Sequence, residues 1–203
     1  MIACPKRVAV LSLWIGMLCA CACSPTVQFY TLSAEAQPGS DQVSGDTHLG
    51  IVIGPVILPD VLDRPQVVVR TGANQVSLTE EHRWAESLKT SIPRVIGENL
   101  GRLLSTRDVW AYPQTATGAV DYRVQVAIQR FESVPGQWAA IDALWTVQRM
   151  SNEHSEVKTG RSSSQQPVAG QGYDAIAAAH SRALAAVSRD VADAMRAFVS
   201  ASP

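Results

Sequence analysis

The greater part of this chain contains no cysteine. All four cysteines lie within the first 23 residues, at Cys4, Cys19, Cys21 and Cys23. Everything that follows can therefore form neither a disulfide nor a thiolate metal site. The C-x-C-x-C run at positions 19–23 does not have the spacing of a metal motif.

The sequence also lacks an excess of charge of one sign. It has 17 Lys and Arg against 18 Asp and Glu. Cleavage before Cys21 would remove Lys6 and Arg7 and leave 15 basic residues against 18 acidic ones, a net charge of −3. Proteins that bind a phosphate backbone usually carry a basic excess. Nucleic acid is therefore not an expected partner.

Common catalytic motifs are missing as well. The sequence has no G-x-S-x-G, no H-E-x-x-H, no Walker glycine loop and no G-x-G-x-x-G at a strand end. Glu86 follows His82 by four residues, but no third metal ligand is near. His180 lies on an apolar helical stripe, which predicts a buried, hydrogen-bonded histidine. We expect no catalytic residue, no metal and no cofactor.

The N-terminus has the pattern of an export signal. Lys6 and Arg7 precede a short apolar run, residues 8–18, that is too brief to span a bilayer. Leu18 and Ala20 then stand three residues and one residue before Cys21, as lipoprotein processing requires. This predicts acylation of Cys21, with more than one acyl chain for stable anchoring.

Two alternatives to Cys21 remain open. Cys23 could be the acceptor, although no large aliphatic residue stands three positions before it. An ordinary signal peptidase could instead cut after Ala20-Cys21-Ala22 and release the protein. Neither cysteine is followed by aspartate, which favours sorting to the outer membrane. We expect a signal peptide at 1–20, a lipidated N-terminus with a short strand and flexible loop at 21–47, and a folded domain at 48–203.

Hydrophobic periodicity predicts an α+β fold in a single domain, mostly antiparallel sheet with two main helices packed on it. Apolar residues recur at helical spacing from Trp84 to Leu104 and from Tyr173 to Val199. Strands are indicated by β-branched runs or by alternation, and two of them flank a Gly-Asn turn as a hairpin. The strands are expected at 27–32, 49–56, 66–70, 75–78, 122–131, 138–150 and, as an edge strand, 155–168.

Two polar clusters could contact a partner. Asp63 and Arg64 precede Pro65 and Gln66, where they could fix a tight turn or face another protein. Arg83 and Trp84 are predicted at the start of the first helix, where they could belong to the helix or form an interface pair of the kind that often dominates binding.

Several sequence blocks, taken in order, resemble the PqiC-like auxiliary lipoproteins of ABC-type and MCE-type transport systems. The chain differs where that family often has proline, here Ser87, and tryptophan, here Gln114. The blocks that carry the resemblance are Phe29-Tyr30-Thr31-Leu32, Gly54-Pro55-Val56, Leu62-Asp63-Arg64-Pro65-Gln66, His82-Arg83-Trp84-Ala85-Glu86, Tyr112-Pro113, Asp121-Tyr122-Arg123, Arg130-Phe131-Glu132, Trp145 and Ala179-His180-Ser181-Arg182-Ala183-Leu184.

The resemblance implies a non-catalytic outer-membrane lipoprotein that supports membrane integrity. Its partners would be a periplasmic, lipid-conducting MCE-domain protein and the associated inner-membrane transporter. A ring-like homo-oligomer would match the symmetry of an MCE assembly. The alternatives are a structural or assembly lipoprotein of another envelope complex, or a periplasmic enzyme using Ser181 beside His180, although adjacent helical residues point apart.

Overall fold

A computed structural model describes residues 26–36, 49–150 and 155–199. The expected signal peptide, Cys21, Cys23 and most of the expected loop before position 48 lie outside these residues. The strands are β1 (Gln28–Tyr30), β2 (Ile51–Ile53), β3 (Gln66–Gly72), β4 (Gln75–Trp84), β5 (Val109–Ala111), β6 (Tyr122–Val134), β7 (Trp138–Arg149) and β8 (Glu156–Pro167). The helices are α1 (Leu88–Leu104) and α2 (Tyr173–Val199), with a 3-10 turn at Asp60–Leu62.

The larger sheet has five strands in the order β5-β2-β6-β7-β8. The long strands β6, β7 and β8 form an antiparallel meander, while short β2 pairs in parallel with both β5 and β6. The helices α1 and α2 pack against each other and against this sheet. The predicted α+β fold, a mostly antiparallel sheet carrying two helices, is confirmed.

Alternation along β6 and β7 explains why the helices cover one face of the sheet. Val124, Val126 and Ile128 are buried, whereas Arg123 and Gln125, which alternate with them, are exposed. Their partners on β7 include Ala143 and Val147, which are also buried. Because side chains alternate across a strand, one face of the meander meets the apolar stripe of α2 and the other carries polar residues.

The smaller sheet has three strands in the order β1-β4-β3. β3 and β4 form the predicted hairpin, and β1 adds to β4 in parallel. Val67 and Val69 of β3 are buried in the common core. Arg70 of β3 forms an ion pair with Glu132 of β6, so that the two sheets are also joined by a charged pair.

The predicted start of the first helix is wrong. Residues 79–84, expected in part as the helix start, continue β4, and α1 begins only at Leu88 after Ser87. The main-chain carbonyl of Ser87 accepts hydrogen bonds from the amides of Thr90 and Ser91, both at 2.9 Å. Pro93 lies inside α1 and does not mark its start.

The segment after β1 is fixed to the outside of the helix pair. Leu32 and Ala36 are each only 2% exposed. Side chains of α1 and α2 form hydrogen bonds with the main chain of this segment. Two of them accept: Ser181 Oγ from Ser33 N at 3.0 Å, and Asn99 Oδ1 from Ala36 N at 2.9 Å. Two arginines donate: Arg94 to Leu32 O at 3.2 Å, and Arg102 to Ala34 O at 2.6 Å. Residues 31–36 thus form a strap over α1 and α2.

Within the described residues, neither helix combines the length and apolar character that crossing a membrane requires.

Candidate functional site

The predicted contact residues Gln66 and Arg83 lie opposite each other on β3 and β4. Both bind the same carboxylate, that of Glu80. Gln66 Nε2 donates to Glu80 Oε1 and Oε2 at 3.0 and 3.2 Å, and Arg83 Nη2 donates to Oε2 at 2.6 Å. The structure therefore brings together two residues that the sequence placed in separate clusters.

A large irregularity in β4 makes this arrangement possible. Gln66 pairs with Arg83, and Val68 pairs with Leu78, so residues 79–82 of β4 stand opposite Val67 alone. Extra residues in one strand bend it and redirect its side chains. Glu80 can therefore reach Arg83, whose Nε also donates to the Glu80 carbonyl at 3.0 Å.

The turn before β3 contains Asp63 and Arg64. Asp63 N donates to Asp60 O at 3.1 Å, and the Asp63 carboxylate accepts from Lys89 Nζ at 2.7 Å, which ties the turn to the first turn of α1. Arg64 has no ion pair among the described residues, and its buried Nε has no hydrogen-bond partner there. Of the cations near this turn, Arg64 is the one for which the described residues provide no acceptor.

Trp84 does not belong to this exposed cluster. It is 6% exposed and makes edge contacts with Phe131, at 6.2 Å between ring centroids, and with His180, at 6.4 Å. The apolar ring is thus part of the core. In this fold Trp84 can support the neighbouring Arg83, but its own ring is not presented to a partner.

His180 lies in the same aromatic cluster and is buried, as predicted. Its expected hydrogen bond is absent at Nδ1, which has no partner among the described residues. The ring stacks on Phe131 with centroids 3.8 Å apart. Burial in these apolar surroundings lowers the pKa of His180 to about 3, because the charged imidazolium would lose its hydration.

Ser181, the neighbour of His180, is turned to other partners. Its hydroxyl donates to the Ala177 carbonyl at 2.9 Å and accepts from Ser33 N. The hydroxyl therefore fixes the strap, whereas His180 faces Phe131. The pair has no hydrogen bond that would make the imidazole a base for the hydroxyl.

A second aromatic cluster was not recognised in the sequence. Tyr30 Oη lies 2.8 Å from His82 Nδ1, and the His82 ring stacks on Tyr173 at 3.8 Å. Burial, together with Asp174 and Tyr173, raises the pKa of Tyr30. The three residues come from β1, β4 and the start of α2, so only the tertiary fold brings them together. His82 is thus engaged, and the described residues contain no group of three metal-binding side chains.

An open groove of about 640 Å³ runs beside α1 and β5. Its lining mixes charged residues with small ones such as Gly97, Gly101 and Thr106. The arginines along it are partly engaged, Arg94 with Glu98 and Arg102 with the strap. The groove has no buried catalytic or metal-binding group.

Comparison with protein families decides what kind of protein carries this fold. The family model of the ABC-type transport auxiliary lipoprotein component matches residues 30–192. The chain belongs to this family. The resemblance to PqiC-like auxiliary lipoproteins is thereby confirmed at the family level. A comparison with curated proteins found no match.

Solved structures support the fold of this auxiliary lipoprotein. A crystal structure of an uncharacterized protein is 16% identical, with a TM-score of 0.65, covering 83% of this chain and 99% of that one. A Xanthomonas campestris protein of the DUF330 family is also 16% identical, with a TM-score of 0.60 and coverage of 81% and 92%. At this identity the likeness shows the shared fold alone.

The family match also identifies the coarse role of this auxiliary lipoprotein. It is an auxiliary component of an ABC-type transport system, and its family indicates a membrane-anchored place in the cell envelope. The matched stretch contains the polar turn and both aromatic clusters described above, and it begins nine residues after Cys21.

Proposed function

We propose that this auxiliary lipoprotein is a non-catalytic docking component at the periplasmic face of the outer membrane. It would hold the tip of a periplasmic, lipid-conducting MCE-domain protein against that membrane, as part of an ABC-type transport system. The observation that carries the proposal is the family match over residues 30–192, directly preceded by a lipoprotein signal. A lipid needs a continuous apolar path through water, and a tethered docking domain stabilises the end of such a path.

The anchor is the first half of this function. Acylation of Cys21 would place the domain at the membrane, and the absence of aspartate after it favours the outer membrane. In the full chain, Cys21→Ala should release the protein from the membrane pellet. Cys23→Ala should leave it there. The reverse result would identify Cys23 as the acceptor. If neither substitution releases the protein, anchoring through either cysteine is contradicted.

The docking contact is the second half. We assign it to the turn of Asp63 and Arg64, flanked by Gln66 and Arg83 on the smaller sheet. Arg64 supports this assignment because its charge has no acceptor among the described residues, whereas the other three polar groups are held by Lys89 or Glu80. A guanidinium with free donors is suited to a carboxylate on a partner.

Crosslinking and affinity purification with the anchor intact test the docking. The wild-type protein should recover an MCE-domain protein together with inner-membrane transporter subunits. Arg64→Glu should reduce this recovery strongly and leave the melting temperature close to that of the wild type. Arg123→Glu reverses an exposed charge on β6 and serves as the matched control. Recovery unchanged in Arg64→Glu with a lowered melting temperature would show that the turn is structural.

A ring of identical subunits would suit this role. An MCE assembly with rotational symmetry offers the same surface several times, and a ring would repeat one weak contact at each position. The mass of the lipidated protein in mild detergent tests this part. A single closed oligomer is expected, and a monomer at all accessible concentrations would contradict it.

A further inference from the structure

The smaller sheet exposes an apolar patch made of Phe29, Val76 and Leu78. Phe29 is 64% exposed, although it lies in a paired strand, and Val76 and Leu78 are 45% and 43% exposed. Val27, just before β1, is 38% exposed. Single exposed apolar residues are ordinary on protein surfaces, but a group on one sheet indicates a contact.

The strand register places the members of this apolar patch on one face. Phe29 is the neighbour of Arg83, and Arg83 is the neighbour of Gln66. Gln66 and Val68 stand two residues apart on β3, and Val68 pairs with Leu78. Neighbours across strands, and residues two apart along a strand, share a face. Arg70 lies two residues after Val68 on β3 and pairs with Val76 of β4, so Val76 lies on the same face.

This face points away from the core. Val67 and Val69, which alternate with Gln66, Val68 and Arg70 on β3, are only 2% and 3% exposed. The buried face of the smaller sheet is therefore the one with Val67 and Val69, and the apolar patch occupies the opposite, outer face.

The short chain before β1 limits the distance between this outer face and the membrane anchor. Phe29 lies eight positions after Cys21. An extended chain spans about 3.3–3.6 Å per residue, so Phe29 lies within about 29 Å of Cys21. A domain of this size has a radius of gyration of about 15 Å, so its diameter exceeds the tether. The sheet that begins at β1 must therefore remain close to the anchor.

Two of the charges beside the apolar patch are neutralised within the protein. Arg83 is paired with Glu80, and Arg70 with Glu132. Paired charges make approach to a neutral or anionic lipid surface less costly than free carboxylates would. Arginine side chains reach the headgroups, and phenylalanine is a usual apolar residue at the boundary between headgroups and acyl chains. Phe29 then supplies the apolar ring that can enter it.

We propose that the outer face of the smaller sheet, through Phe29, Val76 and Leu78, lies against the phospholipid surface to which the protein is anchored. This contact rests on the lipid anchor of the proposed function and deepens it. It would fix the orientation of the domain, with the strap and the helix pair held at a constant height above the membrane. The turn of Asp63 and Arg64, with Gln66 and Arg83 next to it, would then lie at the edge of the lipid contact, where a transport tunnel must end.

Photocrosslinking in the full-length, lipidated protein tests this orientation. Phe29, Leu78 and Leu144 are replaced in turn by the photoreactive p-benzoylphenylalanine in cells grown with radioactive phosphate. Leu144 is the matched control, because it is 45% exposed on the outer face of β7 in the larger sheet. The diacylglycerol anchor contains no phosphate, so light-dependent radioactivity on the protein reports contact with phospholipid.

The expected result is several-fold more light-dependent label at positions 29 and 78 than at position 144. Equal label at all three positions, or a crosslink from 29 and 78 to another protein instead of lipid, would overturn the orientation. Membrane pelleting of the same cells separates the two proposals. Membrane-bound protein without label contradicts the orientation alone, whereas protein absent from the pellet contradicts the anchor and the orientation with it.

Discussion

The imidazole of His180 stacks on the ring of Phe131 at 3.8 Å, with the two planes inclined by 9°. His180 is 1% exposed, and Trp84 closes the same cluster from β4. A histidine in this place is held neutral, since its pKa is lowered to about 3. The cluster that joins α2 to both sheets therefore has a stability that depends on pH.

The free energy of unfolding should fall on acidification. The unfolded chain binds a proton at His180 near pH 6.5, whereas the folded protein does not do so until about pH 3. Between these values the unfolded state holds more protons, so stability decreases as the pH falls. From pH 7 to pH 5 the loss should be about 2 kcal/mol.

Urea unfolding at pH 7 and pH 5 measures this difference. His180→Phe keeps an aromatic ring on Phe131 but cannot titrate, so most of the pH dependence in this window should disappear. An equal fall in stability for wild type and His180→Phe would assign the effect to other groups.

Gly160 and Trp145 are paired across β8 and β7, and the indole occupies the space above the glycine. A Cβ atom at position 160 would lie 2.1 Å from Cζ2 of Trp145. Gly160→Ala must therefore displace a ring that is 9% exposed, and should reduce the free energy of unfolding by about 1–3 kcal/mol.

Gly72→Ala is the matched control for this substitution. Gly72 also lies in a strand, but the nearest atom to its added Cβ, on Gln75, is 3.5 Å away. Chemical denaturation should show little change for Gly72→Ala. A similar loss of stability in both variants would mean that replacing any strand glycine is destabilising, and that the Trp145 ring is not the cause.

Ser162 satisfies the indole of Trp145. Trp145 Nε1 donates to Ser162 Oγ at 2.9 Å, and Ser162 Oγ donates to Asp190 of α2 at 2.5 Å. Ser162→Ala leaves a buried indole N–H without an acceptor, which should lower the free energy of unfolding by about 1–3 kcal/mol. Ser163→Ala removes a neighbouring exposed hydroxyl and should have a smaller effect in thermal unfolding. A larger loss in Ser163→Ala would contradict this ranking.

Sequence patterns predicted three of the long elements, α2, β7 and β8, closely. The helix predicted from Tyr173 to Val199 has those bounds, and β7 and β8 end within one residue of the predicted strands. These elements bury one continuous face, so the sequence alternates in step with the structure. The apolar stripe of α2 and the alternation of β7 can be seen in short stretches of sequence, although the core that they line is built from distant parts of the chain.

The sequence failed where the backbone is irregular. Residues 79–82 have no alternation because they oppose a single residue of β3, and the charges there were interpreted as the start of a helix. Likewise, Tyr30, His82 and Tyr173 are in contact because β1 pairs in parallel with β4. No short sequence pattern predicts that pairing. The polar residues of the candidate site could be named from the sequence, but not the shared contact through Glu80.

The strap gives the last prediction. Asn99 is fully buried in α1, where Oδ1 accepts from Ala36 N, and Nδ2 donates to Ser188 Oγ of α2 at 3.3 Å. One side chain therefore joins the strap to both helices. Asn99→Ala should leave the buried amide of Ala36 without an acceptor and reduce the free energy of unfolding by about 1–3 kcal/mol.

Hydrogen exchange distinguishes local release of the strap from general destabilisation. In Asn99→Ala the amide of Ala36 should lose protection, while amides in the centre of β7 change only as much as the global stability requires. Arg102→Met removes the exposed hydrogen bond to the Ala34 carbonyl and should affect protection of Ala36 less. Because the strap leads directly from β1, its release should also loosen β1 against β4. Unchanged exchange at Ala36 in Asn99→Ala would show that packing of Leu32 and Ala36 alone holds the strap.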